Sequence, residues 1–125
     1  MHRLCTDFIS TLLAVGSSQQ QKTYTIRDPK SKLYWAADKT NHIGLQVTGA
    51  KWILTTAPGG FTISSSNNPD LYVIYKLNQE WIFVPSKTNE HAIQLVQHSN
   101  QFANIGNNGF IIASTKQLEW IFEEK

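Results

Sequence analysis

An all-β fold built from internal repeats is predicted by three observations. The phrase Trp-Ile-Leu/Phe occurs three times, as Trp52-Ile53-Leu54, Trp81-Ile82-Phe83 and Trp120-Ile121-Phe122. From Lys22 onward apolar residues alternate with polar ones or form short runs bounded by turn residues, which is the strand pattern. No helical period appears after Gln21. A phrase recurring in the same setting marks a repeat, and a repeat constrains the fold before any single element does.

The first 21 residues read differently from the rest. Leu4, Cys5, Phe8, Ile9, Leu12 and Leu13 recur at helical spacing, with Thr6, Asp7, Ser10 and Thr11 on the other face. That pattern predicts an amphipathic helix, or otherwise a tail, followed by a polar linker over residues 17–21. A short signal segment is the alternative, with His2-Arg3 as its charged start and Ala14-Val15-Gly16 near a cleavage site. Asp7 interrupts the apolar stretch and counts against it. A membrane span is excluded, because spanning takes about 20 apolar residues. The expected organisation is a segment 1–21 ahead of one β domain over 22–125.

Eleven strands are expected in that domain, over residues 23–27, 32–37, 44–48, 51–56, 60–64, 71–76, 80–84, 92–97, 102–105, 110–114 and 119–123. The turns between them have a chemistry. Asp28-Pro29 and Asn68-Pro69-Asp70 combine a fixed φ with side-chain bonding to the backbone, and Pro58-Gly59-Gly60 and Asn107-Asn108-Gly109 supply positive φ.

Laid over one another, the repeats open with Tyr24-Thr25-Ile26, Phe61-Thr62-Ile63 and Ile93-Gln94-Leu95. Leu33-Tyr34, Leu71-Tyr72 and Gln101-Phe102 begin their second strands, and the Trp phrase closes each. Tyr34 to Trp52 and Phe102 to Trp120 are both 18 positions, whereas Tyr72 to Trp81 is 9. The middle repeat therefore lacks about one strand. Lys76-Leu77-Asn78-Gln79 can make a tight connection but not a strand and its return. The apolar N-terminal element is expected to dock there and partly replace what is missing.

Three four-stranded repeats of this size fit a β-trefoil. First and fourth strands would build a six-stranded barrel, second and third strands would cap it, and the three phrase tryptophans would fill its core. With Gln79-Glu80-Trp81, Gln117-Leu118-Glu119-Trp120, Ala50-Lys51-Trp52 and the opening triplets, residues 22–125 resemble the ricin-B-type β-trefoils. They look most like the small cysteine-poor mushroom members, which include lectins and protease inhibitors.

That resemblance implies a sugar site on the second and third strands of a repeat, made of an acidic residue, an aromatic platform and an amide. In the first repeat Trp35, Asp38, Asn41, His42 and Gln46 offer those types. Asp would accept from vicinal hydroxyls, Asn and Gln would donate and accept, and a ring would cover the apolar sugar face. The family's own order of Asp, aromatic and Asn is not reproduced. Trp35 follows Tyr34, so one ring of the pair points outward, and a core position for Trp35 stands level with a platform. Asn100, Asn104, Asn107 and Asn108 with Phe102 are a weaker set in the third repeat.

Composition narrows the function classes. The charged fraction is 16% and net charge +2, without a basic run, so a phosphate-neutralising nucleic-acid surface is not expected. One cysteine, Cys5, allows no internal disulfide and no cysteine metal site. The four histidines show no ligand spacing, and no nucleophile motif occurs. The expected function is a non-catalytic, lectin-like carbohydrate-binding module without cofactor or metal. The alternatives are a protease inhibitor acting through residues 38–42 or 86–91, or a truncated chain without function of its own. A cytoplasmic location is expected, with secretion as the alternative; the oligomeric state is left open.

Overall fold

The structure, a computed structural model, describes residues 9–13, 22–76, 78–87 and 89–125. Twelve strands are present among them: β1 (Ser10–Leu13), β2 (Thr23–Arg27), β3 (Tyr34–Ala37), β4 (Ile43–Gln46), β5 (Trp52–Ala57), β6 (Gly60–Ser65), β7 (Leu71–Ile74), β8 (Trp81–Lys87), β9 (Glu90–Leu95), β10 (Phe102–Ile105), β11 (Ile111–Ser114) and β12 (Glu119–Glu124). The chain is all-β, and its only helical element among the described residues is a 3₁₀ turn over Asn107–Gly109.

Six of the strands close into a barrel. Antiparallel pairing runs β2–β5, β5–β6, β6–β8, β8–β9, β9–β12 and back from β12 to β2. The same register recurs around the ring. Trp52 faces Tyr24, Trp81 faces Phe61 and Trp120 faces His91. One step along, Leu54 faces Ile63, Phe83 faces Ile93 and Phe122 faces Ile26. Side chains two apart on a strand share a face, so these positions stack in layers inside the barrel. Trp52, Trp81, Trp120, Ile26, Ile63 and Ile93 form a sealed layer, none more than 1% exposed.

The other strands make three hairpins, β3–β4, β10–β11 and β7–β1. Each hairpin is tied to the barrel by an indole. The Nε1–H of Trp52 donates to the Trp35 carbonyl at 3.3 Å, that of Trp81 to Val73 at 3.1 Å and that of Trp120 to Ala103 at 3.1 Å. Tryptophan suits this position because its bulk fills the barrel while its single donor satisfies a buried carbonyl.

The third hairpin corrects the expectation for the N-terminus. Residues 10–13 are a strand, not a helix; the remainder of the expected helix or tail, 1–8 and 14–21, lies outside the described residues. Ser10 to Leu13 pair with Ile74 to Leu71. Ile9, fully buried, donates its N–H to the Ile111 carbonyl at 3.0 Å and accepts from the Ile43 N–H at 2.9 Å. Ile9, Ile43 and Ile111 thus occupy corresponding places at the entry to β1, β4 and β11. With β1 paired to β7, the described strands number twelve, one more than the eleven expected. An apolar run of this length satisfies helical and extended patterns alike, and the unpaired edge of β7 decides for the strand.

Smaller corrections follow from local geometry. β9 begins at Glu90, earlier than the expected 92, so the third repeat opens on His91-Ala92-Ile93 rather than on Ile93-Gln94-Leu95. Positive φ occurs at Asn108 and Gly109, as expected of that turn, but Gly109 is the glycine so placed among the described residues, and Gly59 and Gly60 are not. Gly60 is required for a different reason: a Cβ there would collide with the Trp81 carbonyl of the neighbouring strand.

Candidate functional site: the hairpin turn and the barrel mouth

The five residues expected to hold a sugar separate in the structure. Trp35 is fully buried, its ring meeting those of Trp52 and Trp120 edge-on at 6.4 and 5.5 Å. It is a core residue and offers no platform; the outward ring of the pair is Tyr34, half-buried beneath the Arg27 guanidinium at 6.0 Å. The inward direction wins because β3 covers the end of the barrel, where only its alternate side chains can plug the core.

Asp38 organises the β3–β4 turn. Its Oδ1 accepts from the Thr40 N–H at 2.8 Å, the Thr40 hydroxyl at 2.7 Å and the His42 N–H at 3.1 Å. The Thr40 hydroxyl also meets His42 Nδ1 at 2.9 Å, and Asn41 takes a positive φ of 67° at the tip. Asn41 and Gln46 are exposed and His42 is half-buried. Of the five, then, Asp38, Asn41 and His42 are brought together by one tight turn, Gln46 lies at the far end of β4, and Trp35 points away. The weaker set in the third repeat is likewise structural: Asn104 Nδ2 donates to the Lys116 carbonyl at 2.8 Å, and Asn108 makes the turn. Of the two loops expected to reach a protease, residues 86–91 are largely strand, with Lys87 ending β8 and Glu90 starting β9.

Burial acts to raise the Asp38 pKa, but the Thr40 hydroxyl, the His42 and Thr40 N–H groups and the His42 charge outweigh it, so the carboxyl titrates below its ordinary 3.8. A depressed folded-state pKa stabilises above the unfolded value and loses that stabilisation as the pH falls through the folded one. Asp38→Asn should therefore melt a few degrees below the parent near neutral pH. The gap should close as acid takes the pH through the depressed folded-state pKa, below the ordinary carboxylate range. An equal gap at both pH values would show that the carboxylate charge has no part in holding the turn.

A cavity lies elsewhere, at the barrel mouth, in the layer next to the sealed tryptophan layer. It encloses about 490 Å³ and is lined by Lys22, Tyr24, Leu54, Phe61, Phe83, His91 and Phe122. Apart from Lys22, each lining residue comes from a different barrel strand, so the site is the open last layer of the barrel. Phe61 and Phe83 stack at 4.9 Å, Phe83 and Phe122 meet at 5.0 Å, and the His91 ring stands edge-on to Phe122 at 5.5 Å. His91 Nδ1 is buried and has no hydrogen-bond partner among the described residues. Lys22 stands on the rim, 71% exposed, with Glu124 at 3.9 Å.

His91 fell just ahead of the strand expected from residue 92 and was given no role of its own. The signal that places it was present in the sequence: counted in strand steps from the buried isoleucines, Tyr24, Phe61 and His91 each precede their Ile by two. Opening the third repeat two residues late hides that relation.

No family model matches the chain, and no curated protein matches it. Solved structures do. The lysenin pore superposes with a TM-score of 0.67 at 14% identity, over 91% of this chain and 50% of lysenin. A complex of lysenin with phosphocholine gives 0.64 at 14% identity, over 90% and 46%. A salivary protein from Culex quiquefasciatus, of the Cysteine and Tryptophan-Rich family, gives 0.68 at 13% identity, over 89% of this chain and 99% of its own. The chain thus spans about half the length of lysenin and nearly all of the salivary protein. At these identities the likeness is one of fold alone. Among the described residues no helix is long and apolar enough to cross a membrane, which says nothing about strands.

Proposed function

We propose that this chain is a β-trefoil whose middle repeat takes its third strand from the N-terminal segment, and that it works as a non-catalytic binding module with its ligand in the barrel mouth. The trefoil assignment is supported by the closed six-strand ring, the three indole ties and the threefold recurrence of register. The binding assignment is carried by one observation. Six strands converge four aromatic rings, a leucine and a histidine with an orphaned nitrogen on one open cavity. A cavity of this size suits a small molecule, and a buried polar atom without a partner needs one.

The lining selects among ligand classes. A neutral sugar is held by several acceptors and donors at fixed spacing, and here only the Tyr24 hydroxyl, His91 and Lys22 are polar. Among the described residues no carboxylate or amide lines the cavity. Aromatic walls favour an apolar or quaternary-ammonium group, and Lys22 with His91 favours an adjacent anion. A compact zwitterionic headgroup combines both. Lysenin, of the same fold class, has been captured with phosphocholine, which makes that molecule the natural probe. The glycan reading now rests on Asp38, Asn41, His42 and Gln46 without a ring, and the protease-inhibitor reading on the turn at 38–42.

The test is a titration of the full chain with phosphocholine, choline, inorganic phosphate and a set of monosaccharides, followed by NMR. Phosphocholine should shift Tyr24, Phe61, Phe83, His91 and Phe122 saturably, and Tyr24→Ala with Lys22→Ala should weaken binding at least tenfold, about 1.4 kcal/mol. Shifts confined to residues 38–46 with a sugar would return the site to the hairpin. No saturable shift at the mouth with any probe would remove the assignment.

A further inference from the structure

We propose that the slot beside β7 is a strand-acceptor site, and that it takes residues 9–13 from a second copy of this chain as well as from its own. The slot is defined by strands far from its occupant in sequence. Residues 22–125 supply all six barrel strands and both strands of two hairpins, but only β7 of the third. An empty slot would present the β7 edge over Leu71–Ile74, with the Ile111 carbonyl and the Ile43 N–H unpaired beside it. An unpaired strand edge is a template for another strand.

The occupant's contacts are equally available from another molecule. Among the described residues β1 is a terminal strand of the sheet and pairs with β7 alone. Ile9 is held from outside by Ile111 and Ile43, each on a different hairpin. None of these partners is adjacent to β1 in the chain. Residues 14–21 join β1 to Lys22, and eight residues reach at most about 30 Å. A second copy's β1 makes the same ladder and the same two flanking bonds, which is the condition under which exchanging an element between protomers costs little. In dilute solution the chain's own β1 has the advantage of an effective concentration in the millimolar range. Refolding at comparable protein concentration removes that advantage. The partner is therefore a copy of the chain itself, and the product a closed dimer in which each copy fills the other's slot.

The test uses full-length chains, all with Cys5→Ser. Cα partners across an antiparallel pair are close enough for a disulfide, and Leu12 faces Tyr72. One chain carries Leu12→Cys, another Tyr72→Cys, and a third both. The doubly substituted chain, oxidised at micromolar concentration, should close within itself. The two single variants, refolded together at millimolar concentration, should give a disulfide-linked heterodimer several-fold above a control pair of Val47→Cys with Tyr72→Cys, Val47 being an exposed loop residue. Ser10→Cys with Ile74→Cys repeats the test should the first pair fold poorly. Internal closure without heterodimer above control would overturn exchange, and failure of internal closure would overturn the slot itself.

Discussion

Truncating any of the three phrase tryptophans to alanine should bring this protein to the edge of unfolding. Trp→Ala in a core removes about 3–5 kcal/mol, against a total near 5–15 kcal/mol for a domain. Trp52, Trp81 and Trp120 are each no more than 1% exposed, and each also ties a hairpin carbonyl to the barrel. Trp120→Phe separates these contributions. It keeps a ring in the core but orphans the Ala103 carbonyl, for a loss of about 1–3 kcal/mol. Denaturant midpoints measure both. Because the three sites share one register, the three alanine variants should fall by similar amounts. Parent-like midpoints for all three would refute the core. One that fell while two did not would refute their equivalence.

The three Trp phrases were legible in the sequence because tryptophan is rare, and the core uses all three in one way: each is buried and donates its indole N–H to a hairpin carbonyl. The shortfall between Tyr72 and Trp81 was legible as a spacing of 9 against 18. What filled it was legible as apolar content, but its conformation was not. The pattern over 4–13 satisfies a helical period, and only the β7 edge, a feature of the assembled fold, calls for a strand. The direction of Trp35 was hidden for a similar reason. Alternation says that Tyr34 and Trp35 face opposite ways, but which way is inward depends on where the hairpin folds over the barrel. Asp38 was read as a sugar acceptor, and its role in accepting three hydrogen bonds within its own turn was not visible until the turn was folded. The barrel mouth was unreadable in principle from local pattern. Its lining draws single residues from six strands spread over residues 24–122; five of them look like ordinary strand residues in their own segments, and His91 falls just ahead of the strand expected from residue 92.

Removing the N-terminal strand should have the second large effect. Ile9→Ala is expected to lose about 2–5 kcal/mol, the range for a buried Ile, although Ile9 lies in a segment whose pattern reads as an amphipathic helix or a tail. Deleting residues 1–20 should lose at least as much, because the ladder to β7 and the bonds from Ile9 to Ile111 and Ile43 go together. The deleted form should also bind more hydrophobic dye, since Val73, Tyr75 and the Trp81 ring lie in the core cluster with Ile9. The informative comparison is with Ile43→Ala and Ile111→Ala. All three isoleucines are fully buried, and corresponding positions in three hairpins should have corresponding costs. Similar losses would mean that a strand from the start of the chain serves the core as fully as strands built into their own repeats. Should Ile43→Ala and Ile111→Ala destabilise while Ile9→Ala and the deletion leave melting unchanged, the middle hairpin must be tolerated half-built. The β7 edge would then stand open in solution.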